Sequence, residues 1–176
     1  MRALLSLLLI AAAAQPAAAA LKVGSKAPDF RTMGALAGKP FRLHLAEQLR
    51  HGPVVLYFYP KAYTKGCTLE AHAFSEAEGD FARAGARVVG MSADDLPTLQ
   101  RFSVEHCRGK FPVATASPGV IKAYDVKMPM LGMSNRTSYV IAPDGRIVFV
   151  HSQLDWKGHV AKTLAAVRAL APTPRH

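Results

Sequence analysis

The chain is poor in cysteine and tryptophan: 176 residues carry two of the first and one of the second. So few cysteines exclude a disulfide framework of the kind small exported domains use in place of a core. Neither Cys67 nor Cys107 belongs to a Cys-x-x-Cys pair, and the seven histidines are scattered without a His-Glu-x-x-His helix, so the common zinc patterns are missing and no cofactor is implied. The net charge is +10, yet there is no run of five or more basic residues and no basic face interleaved with aromatics. That pattern describes a solvated surface and gives no nucleic-acid partner. No internal repeat and no linker divides the chain, whose length fits one domain.

Long apolar runs are also scarce. One opens the chain: Met1-Arg2 is followed by the Leu/Ala-rich stretch Ala3 to Ala14, a break at Gln15-Pro16 and the small residues Ala18-Ala19-Ala20. This order predicts a secretory signal peptide over residues 1–20, removed before Leu21, and hence an exported, periplasmic domain over 21–176 with no membrane contact after cleavage. The competing reading is an uncleaved anchor, which is opposed by a run too short to span about 30 Å of hydrocarbon. Half of the residues are apolar, enough for a core without covalent staples.

The remaining apolar residues are grouped by period. Val54 to Tyr59 has the length and the β-branched and aromatic content of a buried strand, ended by Pro60. A polar loop, Lys61 to Gly66, leads into a helix expected over Cys67 to Ala84, with Leu69, Ala73, Phe74, Ala77 and Phe81 on helical spacing, Gly79 weakening its centre and Gly85 ending it. Val88 to Met91 reads as a strand, and Leu96 to Cys107 as a helix capped by Asp94 or Asp95. Thr137 to Ile141 and Arg146 to Val150 form a hairpin around Pro143-Asp144-Gly145, and His159 to Leu170 a last helix before a fraying tail. Strands alternating with helices, closed by a hairpin, imply an α/β sandwich with a mixed central sheet.

Cys67 falls where a strand and loop give way to a helix. Unpaired backbone N–H groups and the positive end of the helix dipole favour a thiolate there. A buried, inert thiol fits the position equally well. The neighbours bear on the choice. Pro60-Lys61-Ala62-Tyr63-Thr64-Lys65-Gly66-Cys67 resembles the Pro-x-x-x-Thr-x-x-Cys signature of peroxiredoxins. With Tyr57-Phe58-Tyr59 before it and Thr68-Leu69-Glu70 after it, the stretch is most similar to the bacterioferritin-comigratory, or peroxiredoxin Q, subgroup. Gly24 to Phe30 resembles the family's N-terminal Ala-Pro-Asp-Phe segment, Val89 to Ser92 its second strand, and Arg136 to Ile141 with Pro143-Asp144-Gly145 the segment bearing its active-site arginine.

The resemblance implies a thioredoxin-like fold with an N-terminal extension. It implies that Cys67 is the peroxidatic cysteine, that the Thr64 hydroxyl bonds the thiolate and the incoming peroxide, that Pro60 shields the sulfur, and that Arg136 stabilises charge beside it. Glu70, one turn past Cys67, could hold Arg136 or serve only as a charge near a helix start. The pattern is not complete. Lys65 stands where many members have proline, and His72 stands five residues after Cys67, where many have a resolving cysteine. Cys107 is the other thiol and a possible resolving residue, although the subgroup's helix cysteine would sit about one turn earlier, near Ser103; a structural thiol is the alternative. Met128, Met130 and Met133 precede Arg136 and read as an apolar wall or as soft ligands for Cu(I). The expected function is reduction of hydrogen peroxide and small organic hydroperoxides, with no metal, flavin or haem and with a thiol or thioredoxin-like protein as reductant. The alternatives are a thiol-disulfide reductase, opposed by the single cysteine in Cys67-Thr68-Leu69-Glu70, and a copper-binding module on the same fold.

Overall fold

The computed structural model describes residues 20–170; residues 1–19 of the expected leader and the tail 171–176 lie outside the described residues. Among them are seven strands, β1 (Arg31–Leu36), β2 (Lys39–His44), β3 (Val54–Phe58), β4 (Arg87–Ser92), β5 (Val113–Thr115), β6 (Thr137–Ile141) and β7 (Ile147–Ser152). The helices are α1 (Leu45–Leu49), α2 (Lys65–Arg83), α3 (Leu96–Glu105), α4 (Pro118–Ala123) and α5 (His159–Leu170). The strands form one sheet in the order β2-β1-β5-β4-β3-β6-β7. β3, β4 and β5 run parallel, and β6, β7, β1 and β2 are joined antiparallel, so the sheet is mixed.

Strand β3 sits centrally and is buried on both faces, which is why it reads as a continuous apolar run and not as an alternating one. Its residues still divide by the two-residue period. Val54, Leu56 and Phe58 join one apolar layer with Leu45 and Leu49 of α1 and Ile121 of α4. Val55 and Tyr57, with Tyr59 just past the strand, join the opposite layer with Phe74 and Phe81 of α2, Leu99 and Phe102 of α3 and Val167 of α5. Gly90 on β4 makes room for the second layer: a Cβ there would come within 2.8 Å of the Tyr57 ring.

The boundaries differ from the expected ones in ways that matter for the site. Helix α2 starts at Lys65, two residues before Cys67, and runs through Gly79 unbroken. Helix α3 ends at Glu105, so Cys107 lies in the turn beyond it, and its cap is Asp95, whose side chain accepts from the Thr98 N–H at 2.9 Å. The hairpin β1–β2, helices α1 and α4 and strand β5 have no counterpart in the sequence reading.

Candidate active site

Cys67 is placed by a chain of local restraints. The Tyr59 N–H donates to the Met91 carbonyl at 3.0 Å, and Pro60, with no N–H to offer, ends the ladder. The loop that follows is pinned by Asp94, which accepts from the Ala62 N–H at 2.8 Å and from the Ser92 hydroxyl at 2.8 Å. Tyr63 turns the chain at φ 63° into the helix, its ring against Phe102 and His106. Thr64 is the N-cap residue, and the first i→i−4 bond comes from the Thr68 N–H. The N–H groups of Lys65, Gly66 and Cys67 therefore precede the helical ladder, and Cys67 occupies the first turn at the positive end of the dipole.

Arg136, immediately before β6, meets the sulfur from the other side. Its Nη2 donates to Cys67 Sγ at 3.4 Å, its Nη1 pairs with Glu70 Oε2, and its Nε donates to the Leu154 carbonyl at 2.8 Å. All three groups are withdrawn from solvent: Cys67 is 1% exposed, Glu70 0% and Arg136 5%. Gly66 permits this approach, since a Cβ there would lie 3.1 Å from Arg136 Nη2 and 3.9 Å from the Trp156 ring. Three fixed donor directions on one planar cation are something Arg offers and Lys does not.

Behind the arginine is a second buried layer. Glu70 Oε1 has no hydrogen-bond partner and lies 3.7 Å from His159 Nδ1. His159 Nδ1 is 2.8 Å from the Ser138 hydroxyl, and its Nε2 is 3.0 Å from the Gln153 carbonyl. The His151 ring lies alongside, centroids 4.5 Å apart. Burial raises the Glu70 pKa to about 8, against the lowering effect of Arg136. Burial also depresses His159, to about 4, so its ring is neutral. Burial works against the charge of Arg136, but Glu70 and Cys67 hold its pKa above the ordinary arginine value.

The structure thus brings Cys67, Glu70 and Arg136 into direct contact. The Thr64 hydroxyl donates its proton to the Lys61 carbonyl at 2.9 Å and so does not give it to the Cys67 sulfur as the resemblance implies. Pro60 is half-buried in the adjoining loop. Lys65 and His72 face solvent, His72 3.9 Å from Glu76. Cys107 is fully buried; its thiol is pushed far up by burial. Both cysteines are free and share the apolar layer that holds Tyr57 and Tyr59. The methionine segment is a small hairpin closed by the Met128 N–H on the Met133 carbonyl, and Met130 at its tip is 99% exposed, so the expected apolar wall does not extend to Met130. Among the described residues no group of three His, Cys, Asp or Glu side chains could hold a metal.

The sequence reading missed Ser138, His159, Asp94, Trp156 and the Leu154 carbonyl. Asp94 was noticed only as a possible cap. His159 carried no local signal; its partners come from β6, the loop after β7 and α2.

Comparison with known proteins places these features in a family. The AhpC/TSA family profile matches residues 23–150. Peroxiredoxin Q from rice chloroplasts (Oryza sativa subsp. japonica) is 32% identical over 152 residues, covering 84% of this chain and 67% of that protein. Peroxiredoxin Q of Sedum lineare is likewise 32% identical over 152 residues, covering 84% and 78%. The crystal structure of peroxidoxin BcpB from Mycobacterium tuberculosis superimposes with a TM-score of 0.75 at 35% identity, covering 86% of this chain and 99% of that one.

Proposed function

The chain belongs to the AhpC/TSA family and is a peroxiredoxin with a thioredoxin-like fold, a thiol peroxidase, and from that premise we propose that it reduces hydrogen peroxide and small organic hydroperoxides through a sulfenic acid on Cys67. The observation that carries the proposal is the 3.4 Å contact between Arg136 Nη2 and Cys67 Sγ at the start of α2.

In this reaction the thiolate lone pair forms an S–O bond as the O–O bond breaks, and the leaving oxygen takes a proton and departs as water or an alcohol. The sulfenic acid then condenses with a second thiol, forming a disulfide and releasing water. Ionising the sulfur is not enough. A free cysteine is already a few per cent thiolate at pH 7, so complete ionisation gains only about 30-fold, and nucleophilicity declines as the pKa falls. The larger part of the rate comes from groups fixed where charge develops. Arg136 is such a group: Glu70 and the Leu154 carbonyl hold two of its nitrogens, which leaves the third directed at the sulfur. The free N–H groups of the first turn add to the same field. In this scheme Thr64, exposed at the helix cap, turns its hydroxyl from the Lys61 carbonyl to the peroxide, and Pro60 screens the sulfur from bulk water.

Cys107 serves as the resolving thiol in this scheme, after the turn beyond α3 unwinds; its complete burial makes that opening obligatory. A small thiol or a thioredoxin-like protein returns the enzyme to the reduced state. The leader-like first twenty residues support a place in the periplasm, where the proposed activity would serve antioxidant defence. Exposure to one equivalent of peroxide followed by intact-mass and peptide analysis tests the cycle. A Cys67–Cys107 bridge is the expected product. A stable sulfenic acid on Cys67 would replace Cys107 by an external thiol, and unmodified Cys67 would end the proposal.

A further inference from the structure

Glu70 and His159 present an arrangement that the peroxidase chemistry alone does not require. His159 Nε2 lies 3.0 Å from the Gln153 carbonyl, and a carbonyl only accepts, so Nε2 carries the ring proton. In the neutral ring Nδ1 is then a bare lone pair, into which the Ser138 hydroxyl donates at 2.8 Å. Glu70 Oε1 faces the same lone pair across 3.7 Å and has no donor of its own. Glu70, Ser138 and His159 are each 0% exposed, so bulk water does not reach them. The Nδ1 lone pair is taken by Ser138 and lies beyond hydrogen-bond reach of Oε1, so an ionised Glu70 would leave a buried carboxylate oxygen with no protein donor, a costly state that protonation relieves.

The charges lead to the same place. Among the described residues Arg136 is the one buried Lys or Arg. It touches two groups that can each be an anion, the Cys67 sulfur and the Glu70 carboxyl. If both ionise, the pocket holds a surplus buried negative charge, which is strongly disfavoured. The other titratable or charged groups packed around it do not supply the missing cation: Tyr57 of β3 is a neutral phenol, its pKa pushed well up by burial, His151 of β7 is pushed down by burial, and Lys162 of α5 acts against a proton on His159 and His151.

We propose that Glu70 is held as a neutral acid with its proton on Oε1, so that the charge of Arg136 is left to the Cys67 thiolate. Glu70 then accepts from Arg136 through Oε2 and turns the protonated Oε1 towards the neutral His159 ring. Glu70 is a positioning residue: it touches neither peroxide nor sulfur, and it acts through Arg136, while His159 bounds the buried site on its far side. The raised pKa of Glu70, about 8, and the depressed one of His159, about 4, place the proton on Glu70. As pH rises through the Glu70 value the carboxylate appears, competes for Arg136 and adds an anion beside the sulfur. The peroxidase rate therefore declines on the alkaline side, although thiolate formation by itself would only raise it.

The inference rests on the peroxidase reading of Cys67, but its first test does not use activity. Infrared difference spectra of the reduced full-length protein across pH 7 to 9, bracketing the Glu70 value of about 8, should show the carbonyl stretch of a protonated carboxylic acid fading with pH. The band should be absent in Glu70→Gln and should shift in frequency in His159→Gln, where the group facing the acid changes. The second test is the pH profile of peroxide consumption. In the unaltered protein the rate should fall on the order of tenfold over that span, equivalent to about 1.4 kcal/mol of opposing interaction. In Glu70→Gln, whose amide reproduces the protonated acid, the fall should vanish whatever the absolute rate. If Glu70→Gln does not fold, the spectra of the unaltered protein and of His159→Gln decide alone. No acid band at neutral pH, or a band indifferent to both substitutions, overturns the neutral Glu70. A protein inert to peroxide that keeps the band would instead remove the peroxidase reading and leave the proton in place.

Discussion

Gly66→Ala separates stability from catalysis at a single atom. Gly66 is in the first turn of α2, in a conformation open to any residue, and alanine is favoured over glycine inside helices by up to about 1 kcal/mol. Stability should therefore hold or rise slightly. The new methyl, however, lies 3.1 Å from Arg136 Nη2, the nitrogen that faces the sulfur. A few tenths of an ångström must be found, and Arg136 cannot yield freely because Glu70 and the Leu154 carbonyl hold its other nitrogens. The contact that gives is the one to Cys67. A charge-assisted hydrogen bond is worth about 1.5–3 kcal/mol, so its loss in the transition state costs roughly 10- to 150-fold in rate. Trp156, the chain's one tryptophan, lies beside Gly66 and reports the oxidation step by stopped-flow fluorescence, and urea titration reports stability. A peroxide rate within twofold of the parent, with stability unchanged, would refute the reasoning.

Three further outcomes are expected. Gly90→Ala drives a methyl into the Tyr57 ring at 2.8 Å and should destabilise by about 1–3 kcal/mol, read from the urea midpoint. Asp94→Ala removes the acceptor that holds the Ala62 N–H and the Ser92 hydroxyl; it should loosen the loop before Thr64, lowering stability by about 1–3 kcal/mol and slowing peroxide consumption in the same preparation. Cys107→Ser should keep the first oxidation of Cys67, seen as an unchanged fast phase in stopped flow, and lose the intramolecular bridge, seen by mass analysis; an unchanged bridge yield would show that the other sulfur comes from a second chain.

The parts legible in the sequence were those with a local cause. β3, β4, β6 and the long helices announce themselves by apolar period, and Cys67 with Glu70 one turn on is a local arrangement that the family pattern ties to Arg136. The β1–β2 hairpin was hidden because its strands, RTMGAL and KPFRLH, are partly exposed near the sheet edge and carry little alternation. Its turn is Ala37-Gly38, both at positive φ, without the Asn-Gly or Asp-Gly pair that signals such a turn. β5 and α4 are too short, at three and six residues, to show a period. The start of α2 was placed two residues late because Gly66 is a poor helix former that reads as part of the loop, yet Lys65 and Gly66 open the helix and so set Cys67 inside its first turn. The buried layer of Ser138 and His159 was beyond reach for another reason: a histidine at a helix start looks like any surface residue until the fold brings a carboxyl 89 positions away to within 3.7 Å of it.

The most direct measurement compares the peroxide rate constant of the parent and of Arg136→Gln, each at a pH where the ultraviolet absorbance of the thiolate shows Cys67 fully ionised. If the guanidinium acts on the charge that develops as the O–O bond breaks, the variant stays slower on the order of a hundredfold even with the sulfur fully ionised. Equal rates at matched ionisation would mean that Arg136 does no more than deprotonate the thiol, and would contradict the account.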